Sequence, residues 1–258
     1  MKTLKVIKIG GNIIDNDDAL TAFIKEFSTL EGPKLLVHGG GKLATKLAQQ
    51  MDVPVQINEG RRITDTDTLD IITMVYAGKI NKNIVAQLQA NSCNAIGFSG
   101  ADGNTILSEK RPVKTIDYGF VGDVKKVNTK TLEILLNSYI TPVFCAISHD
   151  KKGQLLNTNA DTIASELAIS FASNYSTELY YCFEKNGVLK SINDDSSVIE
   201  SIKSKNVESL INDNIISEGM LPKINNCMHA ISNNVKKVCI GKPEMLFKSN
   251  TKHTTITK

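Results

Sequence analysis

Apolar residues in this chain come in two rhythms, short continuous or alternating runs and longer stretches with helical spacing, and the two take turns along the sequence. Leu4 to Ile9 predicts a strand. Asp17 to Thr29 predicts a helix whose Ala19, Leu20, Phe23, Ile24 and Phe27 share one face. Lys34 to Val37 predicts a second strand, Lys42 to Met51 a second helix, and Val55 to Thr64 a hairpin turning near Asn58-Glu59-Gly60. Asp67 to Ala90 is the longest helical pattern. A strand over Ala95 to Ser99 closes on the turn formers Gly100-Ala101-Asp102-Gly103-Asn104. Beyond it the pattern predicts a lid-like hairpin over Val113 to Val127 around Tyr118-Gly119, and a helix near Lys130 to Asn137. One buried strand over Tyr139 to Ile147 and a helix from Asp161 to Ala172 follow. The last third predicts strands over Glu178 to Phe183 and Lys236 to Ile240, helices near 206–212 and 220–233, and a partly exposed final strand in the Thr-rich tail after Lys248.

Alternation of this kind predicts an α/β fold, a three-layer α/β/α sandwich around a mainly parallel sheet. The chain shows no internal repeat. Its 258 residues suffice for one large domain or two joined lobes, and the polar stretch Ser170 to Thr177 is the best candidate joint.

Bulk properties narrow the function classes. No apolar run approaches the roughly 20 residues of a membrane span, and the first strand begins so early that no signal peptide is expected. Cys93, Cys145, Cys182, Cys227 and Cys239 are odd in number and lack C-x-x-C spacing, which predicts free thiols in a reducing cytoplasm. Net charge is +3, the lysines are scattered and Trp is absent, so nucleic-acid binding is disfavoured.

The candidate chemistry lies where strands end. Lys8-Ile9 runs into Gly10-Gly11, and Val37 runs into His38-Gly39-Gly40-Gly41. A glycine turn between a buried strand and a helix leaves backbone N–H groups open to oxygen anions. Neither turn has the P-loop or the G-x-G-x-x-G spacing, which speaks against a dinucleotide oxidoreductase. Two such turns fit two anions, or one ligand with an anion at each end. Lys8 interrupts an apolar strand. It either meets an anion there or belongs to an edge strand and reaches water. Asn157, Asn159 and Asp161 alternate across an extended segment that opens a helix; Asn159 or Asp161 can cap that helix, and Asp161 can also hold lysine ammonium groups. Arg61 and Arg62 stand on a hairpin, where a guanidinium fork suits a carboxylate, although a surface arginine pair is commonly only solvated. Lys223 opens a late helix against the helix dipole, which is either incidental or serves an anion bound there.

Taken in order, Lys8-Ile9-Gly10-Gly11, His38-Gly39-Gly40-Gly41, Gly60-Arg61-Arg62-Ile63-Thr64-Asp65, Gly97-Phe98-Ser99-Gly100-Ala101-Asp102-Gly103, Asn157-Thr158-Asn159-Ala160-Asp161 and Gly219-Met220-Leu221-Pro222-Lys223 resemble the N-acetylglutamate kinases of the amino acid kinase family. The resemblance spans essentially the whole chain. It implies an N-terminal lobe of about 1–173 that holds an N-acyl-L-glutamate and a C-terminal lobe of about 174–258 that holds ATP with Mg²⁺. The γ-phosphoryl group would pass to the side-chain carboxylate.

Carried over position by position, the resemblance makes Lys8 and Lys223 the transition-state lysines and Asp161 their orienting carboxylate. Gly40, Gly41, Arg62, Asn157 and Asn159 would bind the acid. Gly10, Gly11, Glu184, Gly219 and Met220, with the two lysines, would bind ATP and its phosphates; the metal would arrive with ATP and take no protein ligand. Glu184 stands where the family usually has Asp in a Thr/Ser-Asp-Val stretch. A succinyl group in place of acetyl would want another cation or donor at the acyl end. The turn Ser148-His149-Asp150-Lys151-Lys152 or the 113–127 hairpin is the candidate source of acyl choice. Regulated relatives carry an extra N-terminal helix, and this chain begins only a few residues before Lys8. The expectation is therefore an arginine-insensitive homodimer paired through the long 67–90 helix. The alternatives are a sister kinase acting on another carboxylate, such as an aminoadipate derivative, and a non-catalytic amino-acid sensor.

Overall fold

The computed structural model describes residues 1–258 apart from Glu59, Ile192 and 217–219. Along the chain, β1 (Thr3–Ile9) is followed by the one-turn helix α1 (Gly11–Ile14) and by α2 (Asp17–Thr29). β2 (Lys34–His38) is followed by α3 (Gly41–Gln50). The hairpin β3 (Ile57–Asn58) and β4 (Arg61–Arg62) precedes a long helix that runs as α4 (Thr66–Ile72), a π-helical stretch (Thr73–Ile80) and α5 (Asn81–Ala90). Then come β5 (Ala95–Phe98), β6 (Ile106–Lys110), β7 (Gly122–Val127), α6 (Thr129–Asn137), β8 (Thr141–Phe144), β9 (Ile147–His149), β10 (Leu155–Asn157) and α7 (Ala160–Phe171). The last third holds β11 (Ser176–Cys182), β12 (Ser201–Lys203), α8 (Val207–Asn212), α9 (Leu221–Ser232), β13 (Lys237–Gly241) and β14 (Thr254–Thr257).

Local chemistry explains the boundaries. Asn16 caps α2 by accepting from the Ala19 N–H at 2.9 Å, and Asp17 and Asp18 favour the same end of the helix dipole. Leu20, Phe23, Ile24 and Phe27 then form its buried face. At the other end the buried ammonium of Lys34 donates to the carbonyls of Phe27 at 2.9 Å and Leu30 at 2.7 Å. It thereby joins the Leu30 N–H on the Phe27 carbonyl and answers the Leu30 carbonyl beyond the helix end.

Eight strands form the central sheet in the order β12-β14-β13-β11-β1-β2-β8-β5. Every pairing is parallel except β13 with β14. Consecutive residues Leu35, Leu36 and Val37 are all fully buried, so both faces of the sheet are covered, as the three-layer reading requires. α7 packs on α9 and over β1 and β11, while α2 packs on α5. β1 is central, between β11 and β2, which removes the edge-strand reading of Lys8. Because β1 comes from the first half and β11 from the second, one sheet runs through both halves of the chain.

Two expectations are corrected. The 113–127 hairpin exists, but its strands are β6 and β7, paired antiparallel, so 111–121 is its connection rather than its first strand. The single strand over 139–147 is two: β8 ends at Phe144, and after Cys145-Ala146 the chain enters a second sheet, ordered β10-β9-β6-β7. Continuous apolar character hides such a break, because both pieces are buried. The long helical pattern is present as one run over α4 to α5, with a π-helical middle. All five cysteines are free and buried, and among the described residues no helix is long and apolar enough to cross a membrane.

Candidate active site

Three charged side chains from distant segments meet above the carboxyl end of β1. Lys8 Nζ lies 2.7 Å from Asp161 Oδ1, and Lys223 Nζ donates to Asp161 Oδ2, also at 2.7 Å. All three are largely shielded, with side chains 14% to 16% exposed. Burial pushes the Asp161 carboxyl up, but the two ammonium groups outweigh it and hold it well below the usual carboxylate range. The carboxylate therefore stays ionised and spaces two cations that would otherwise repel. Lys223 also stands over the Tyr181 ring, 4.9 Å from its centroid, and the Tyr181 hydroxyl donates to the Asp161 carbonyl at 2.8 Å. Lys223 sits in the first turn of α9, and its position against the dipole is answered by Asp161.

The helix that carries Asp161 is capped by its neighbour. Asn159 Oδ1 accepts from the N–H groups of Asp161 at 2.8 Å and Thr162 at 3.2 Å. Asn159, not Asp161, is thus the cap, and only its amide NH₂ is left for a ligand. Asn159 and Ala160 line a cavity of about 500 Å³, which places the lysine–aspartate cluster beside it. Gly40, Gly41, Arg62 and Asn157 line the same cavity. The structure thus brings together all five residues expected to bind the acid.

Each is held by its own element. Gly40 has φ +156°, and a Cβ there would come within 2.3 Å of Ile80 Cδ1 and 3.0 Å of Tyr76 Cδ1. Both of those residues belong to the π-helical stretch. Gly41 opens α3, whose first-turn N–H groups have no intrahelical partner. Arg62 Nη2 donates to the Gly41 carbonyl at 3.0 Å and to Thr45 Oγ1 at 2.7 Å, tying the β3–β4 hairpin to the glycine turn. The Asn157 amide donates to Thr64 Oγ1 at 2.9 Å.

On the other glycine turn, Gly10 precedes α1, and a Cβ on Gly10 would lie 3.5 Å from Lys8 Nζ. A Cβ on Gly11 would lie 2.8 Å from Asp15 Oδ2. Glu184, exposed after β11, accepts from the Asn12 amide, and Lys42 Nζ donates to Asn12 Oδ1 at 3.4 Å. A polar chain thus links the segment after β11 to both glycine turns. Met220 precedes α9 and packs against the core. Gly219 lies outside the described residues.

Sequence reasoning gave no role to two residues, one that holds the glycine turn and one that lines the cavity. His38 is fully buried; its Nδ1 lies 2.8 Å from the Gly39 carbonyl and its Nε2 3.1 Å from the Asn81 amide. Asn81 can only donate to Nε2, so Nδ1 carries the proton and donates to Gly39. Burial pushes the imidazole down to about 4, which keeps it neutral. Arg111 also lines the cavity, and the one signal for it is an arginine at a strand end before Pro112. The 148–152 turn is not among the lining residues, so the wall nearest Asn157 belongs to the β6–β7 hairpin.

Residues 3–242 match the family model described as the amino acid kinase family. The chain belongs to the amino acid kinase family. Among its curated relatives, this amino acid kinase is 51% identical to the acetylglutamate kinase of Cytophaga hutchinsonii, over 99% of this chain and 97% of that one. It is 52% identical to the acetylglutamate kinase of Phocaeicola vulgatus over 92% of each. Among solved structures it resembles a Streptococcus mutans protein with TM-score 0.78 at 26% identity, covering 98% of both chains. The fold is shared with carbamate kinase from Giardia lamblia, with TM-score 0.71 at 14% identity, covering 100% of this chain and 98% of that one.

Proposed function

We propose that this chain transfers the γ-phosphoryl group of ATP to the side-chain carboxylate of N-acetyl-L-glutamate or a close N-acyl-L-glutamate, giving the acyl phosphate and ADP, a step of arginine biosynthesis. The observation that carries the reading is the Lys8–Asp161–Lys223 bridge beside a cavity walled by Gly40, Gly41, Arg62 and Asn157. The acceptor carboxylate is already ionised near neutral pH, so no general base is needed. What the reaction requires is alignment of two mutually repelling anions and neutralisation of charge on the migrating group.

Lys8 and Lys223 supply that charge from opposite halves of the chain, and Asp161 sets their spacing. The N–H groups around Gly10, Gly11, Gly40 and Gly41 face the phosphoryl and carboxylate oxygens. Arg62 takes the α-carboxylate and Asn157 the acyl amide. Residues 1–173 carry the acid site and 174–258 the nucleotide site, where Gly219, Met220 and Glu184 would contact ATP. Mg²⁺ enters with the nucleotide and neutralises its phosphates. Both Asp161 oxygens are taken by lysines, and among the described residues no group of three or more His, Cys, Asp or Glu could hold the ion. A homodimer paired along the 67–90 helix, whose Met74 is 49% exposed, and a cytoplasmic setting suited to five free thiols complete the proposal.

The test is ADP release from MgATP with N-acetyl-L-glutamate, N-succinyl-L-glutamate and free L-glutamate in parallel, with hydroxylamine to trap an acyl phosphate and Lys8→Ala as control. Turnover of an N-acyl-glutamate, abolished in the control, is expected. Silence with all three would move the weight to a sister kinase or a sensor.

A further inference from the structure

Resting on the kinase reading above, we infer that the acyl end of the cavity is built to receive a second carboxylate. The preferred acid is then an N-acyl-L-glutamate whose acyl group ends in its own carboxylate, N-succinyl-L-glutamate being the compound of that class to test. The residue that carries this is Arg111. Its Nε and Nη2 both engage the Asp123 carboxylate, and its guanidinium lies over the Tyr118 ring, 5.4 Å from the centroid. The third nitrogen, Nη1, is buried and has no partner among the described residues. Asp123 and Tyr118 thus fix the plane of the fork and leave one donor edge over, on a residue that lines the acid cavity.

Its place in the fold puts that edge at the acyl end. The Arg111 N–H donates to the Val121 carbonyl at 2.8 Å, and Val121 bridges Asn157, so Arg111 stands one strand beyond the residue assigned to the acyl amide. The reacting carboxylate belongs at Gly40 and Gly41, and the α-carboxylate belongs to Arg62. An acetyl methyl would leave the guanidinium edge unanswered, whereas a terminal carboxylate would accept from it.

A second observation points the same way. Beyond Arg111 lies another cavity, of about 570 Å³, to which, among the described residues, Arg61, Arg111 and Lys114 contribute cations and Asp123 one anion. Arg61 and Arg111 line both cavities, so the acyl end opens onto a basic recess rather than an apolar wall. An acyl chain longer than acetyl has room there, and a negative charge on it is matched.

The test compares kcat/KM for N-succinyl-L-glutamate and N-acetyl-L-glutamate in the unaltered chain, Arg111→Gln, Arg111→Lys and Arg61→Gln. The two substrates are read on one preparation, so their ratio does not depend on how much of a variant is folded. We expect the succinyl compound to be favoured at least tenfold in the unaltered chain. Arg111→Gln should lower that ratio at least tenfold, mainly through KM for the succinyl compound, and Arg111→Lys should keep an intermediate ratio. If Arg111→Gln cannot be purified, the unaltered ratio and Arg61→Gln, expected to lower it several-fold, decide the matter. Lys8-dependent turnover that favours the acetyl compound, or a ratio unmoved by Arg111→Gln, overturns the inference and leaves the kinase reading standing. Turnover of neither compound overturns both.

Discussion

Lys8 and Lys223 grip opposite oxygens of one carboxylate at the same distance, 2.7 Å, one from the central strand and the other from the last long helix. A symmetric clamp of this kind holds two cations close together before any phosphate arrives. Their mutual repulsion is met by Asp161 in the free protein and, in the proposed reaction, by the transferring phosphoryl group. Substituting Asp161 should therefore hurt both stability and rate. Asp161→Ala leaves two shielded ammonium groups facing each other, and we expect a loss of about 3–5 kcal/mol. Asp161→Asn keeps the volume and should retain more stability while losing at least ~100-fold in kcat. Thermal melts and ADP-release rates on both variants check the pair; equal kcat for Asp161→Asn and the parent would refute the orienting role.

The lysines themselves should act on the chemical step. Lys8→Met and Lys223→Met are each expected to lower kcat by about 10²–10³-fold, the range seen when one stabilising donor is removed from a transition state. KM for the acyl-glutamate should change far less. A variant that changed only KM would make its lysine a ground-state binder.

Asn157 and Asn159 sit two residues apart and should fail differently. Asn159→Ala removes the cap of α7, so it should lower stability by about 1 kcal/mol and loosen Asp161. Asn157→Ala, whose amide donates to Thr64 alone among the described residues, should raise KM for the acid with little change in melting temperature. The comparison needs only a melt and a saturation curve for each.

Gly40 tolerates no side chain. Gly40→Ala would force its Cβ against Ile80 and Tyr76, and overpacking of this kind costs about 1–3 kcal/mol. Because the same turn presents N–H groups to the cavity, activity should fall more than stability. A fully active Gly40→Ala variant would show that the turn moves freely.

His38 gives the protein an acid-sensitive element. Its imidazole is held at about 4 in the folded state by burial, against about 6.5 when unfolded. As pH falls below the unfolded value the unfolded chain takes up a proton that the folded chain refuses. Stability is therefore complete above about 6.5, falls through the window down to about 4, and is lost there by about 3 kcal/mol. The Asp161 carboxyl adds a further loss only at lower pH, because its own shift is downward. Urea melts at pH 7 and pH 5 on the parent and on His38→Asn check this; the variant should show a shallower difference between the two.

The chain by itself determined the central strands, the helix faces and the glycine turns, because these depend on local periodicity and on backbone conformations that few residues adopt. The span of α2 reads directly from its Asn16 cap and its apolar face. Local pattern also singled out the residues whose chemistry is unusual where they stand: a lysine inside an apolar strand, an aspartate opening a helix, and arginines on a hairpin. Only the tertiary structure decided who meets whom. Lys8 is central because β11 returns to its free side from the second half of the chain, and no local signal encodes that crossover. The division of 139–147 between two sheets, the π-helical stretch beneath Gly40 and the buried neutral His38 all depend on packing against distant segments. So does the Arg111 nitrogen that no described residue answers, which becomes visible only when the β6–β7 hairpin is folded against Asn157. Contact between residues far apart in sequence is set by how the layers close on one core, and that closure is a property of the whole chain.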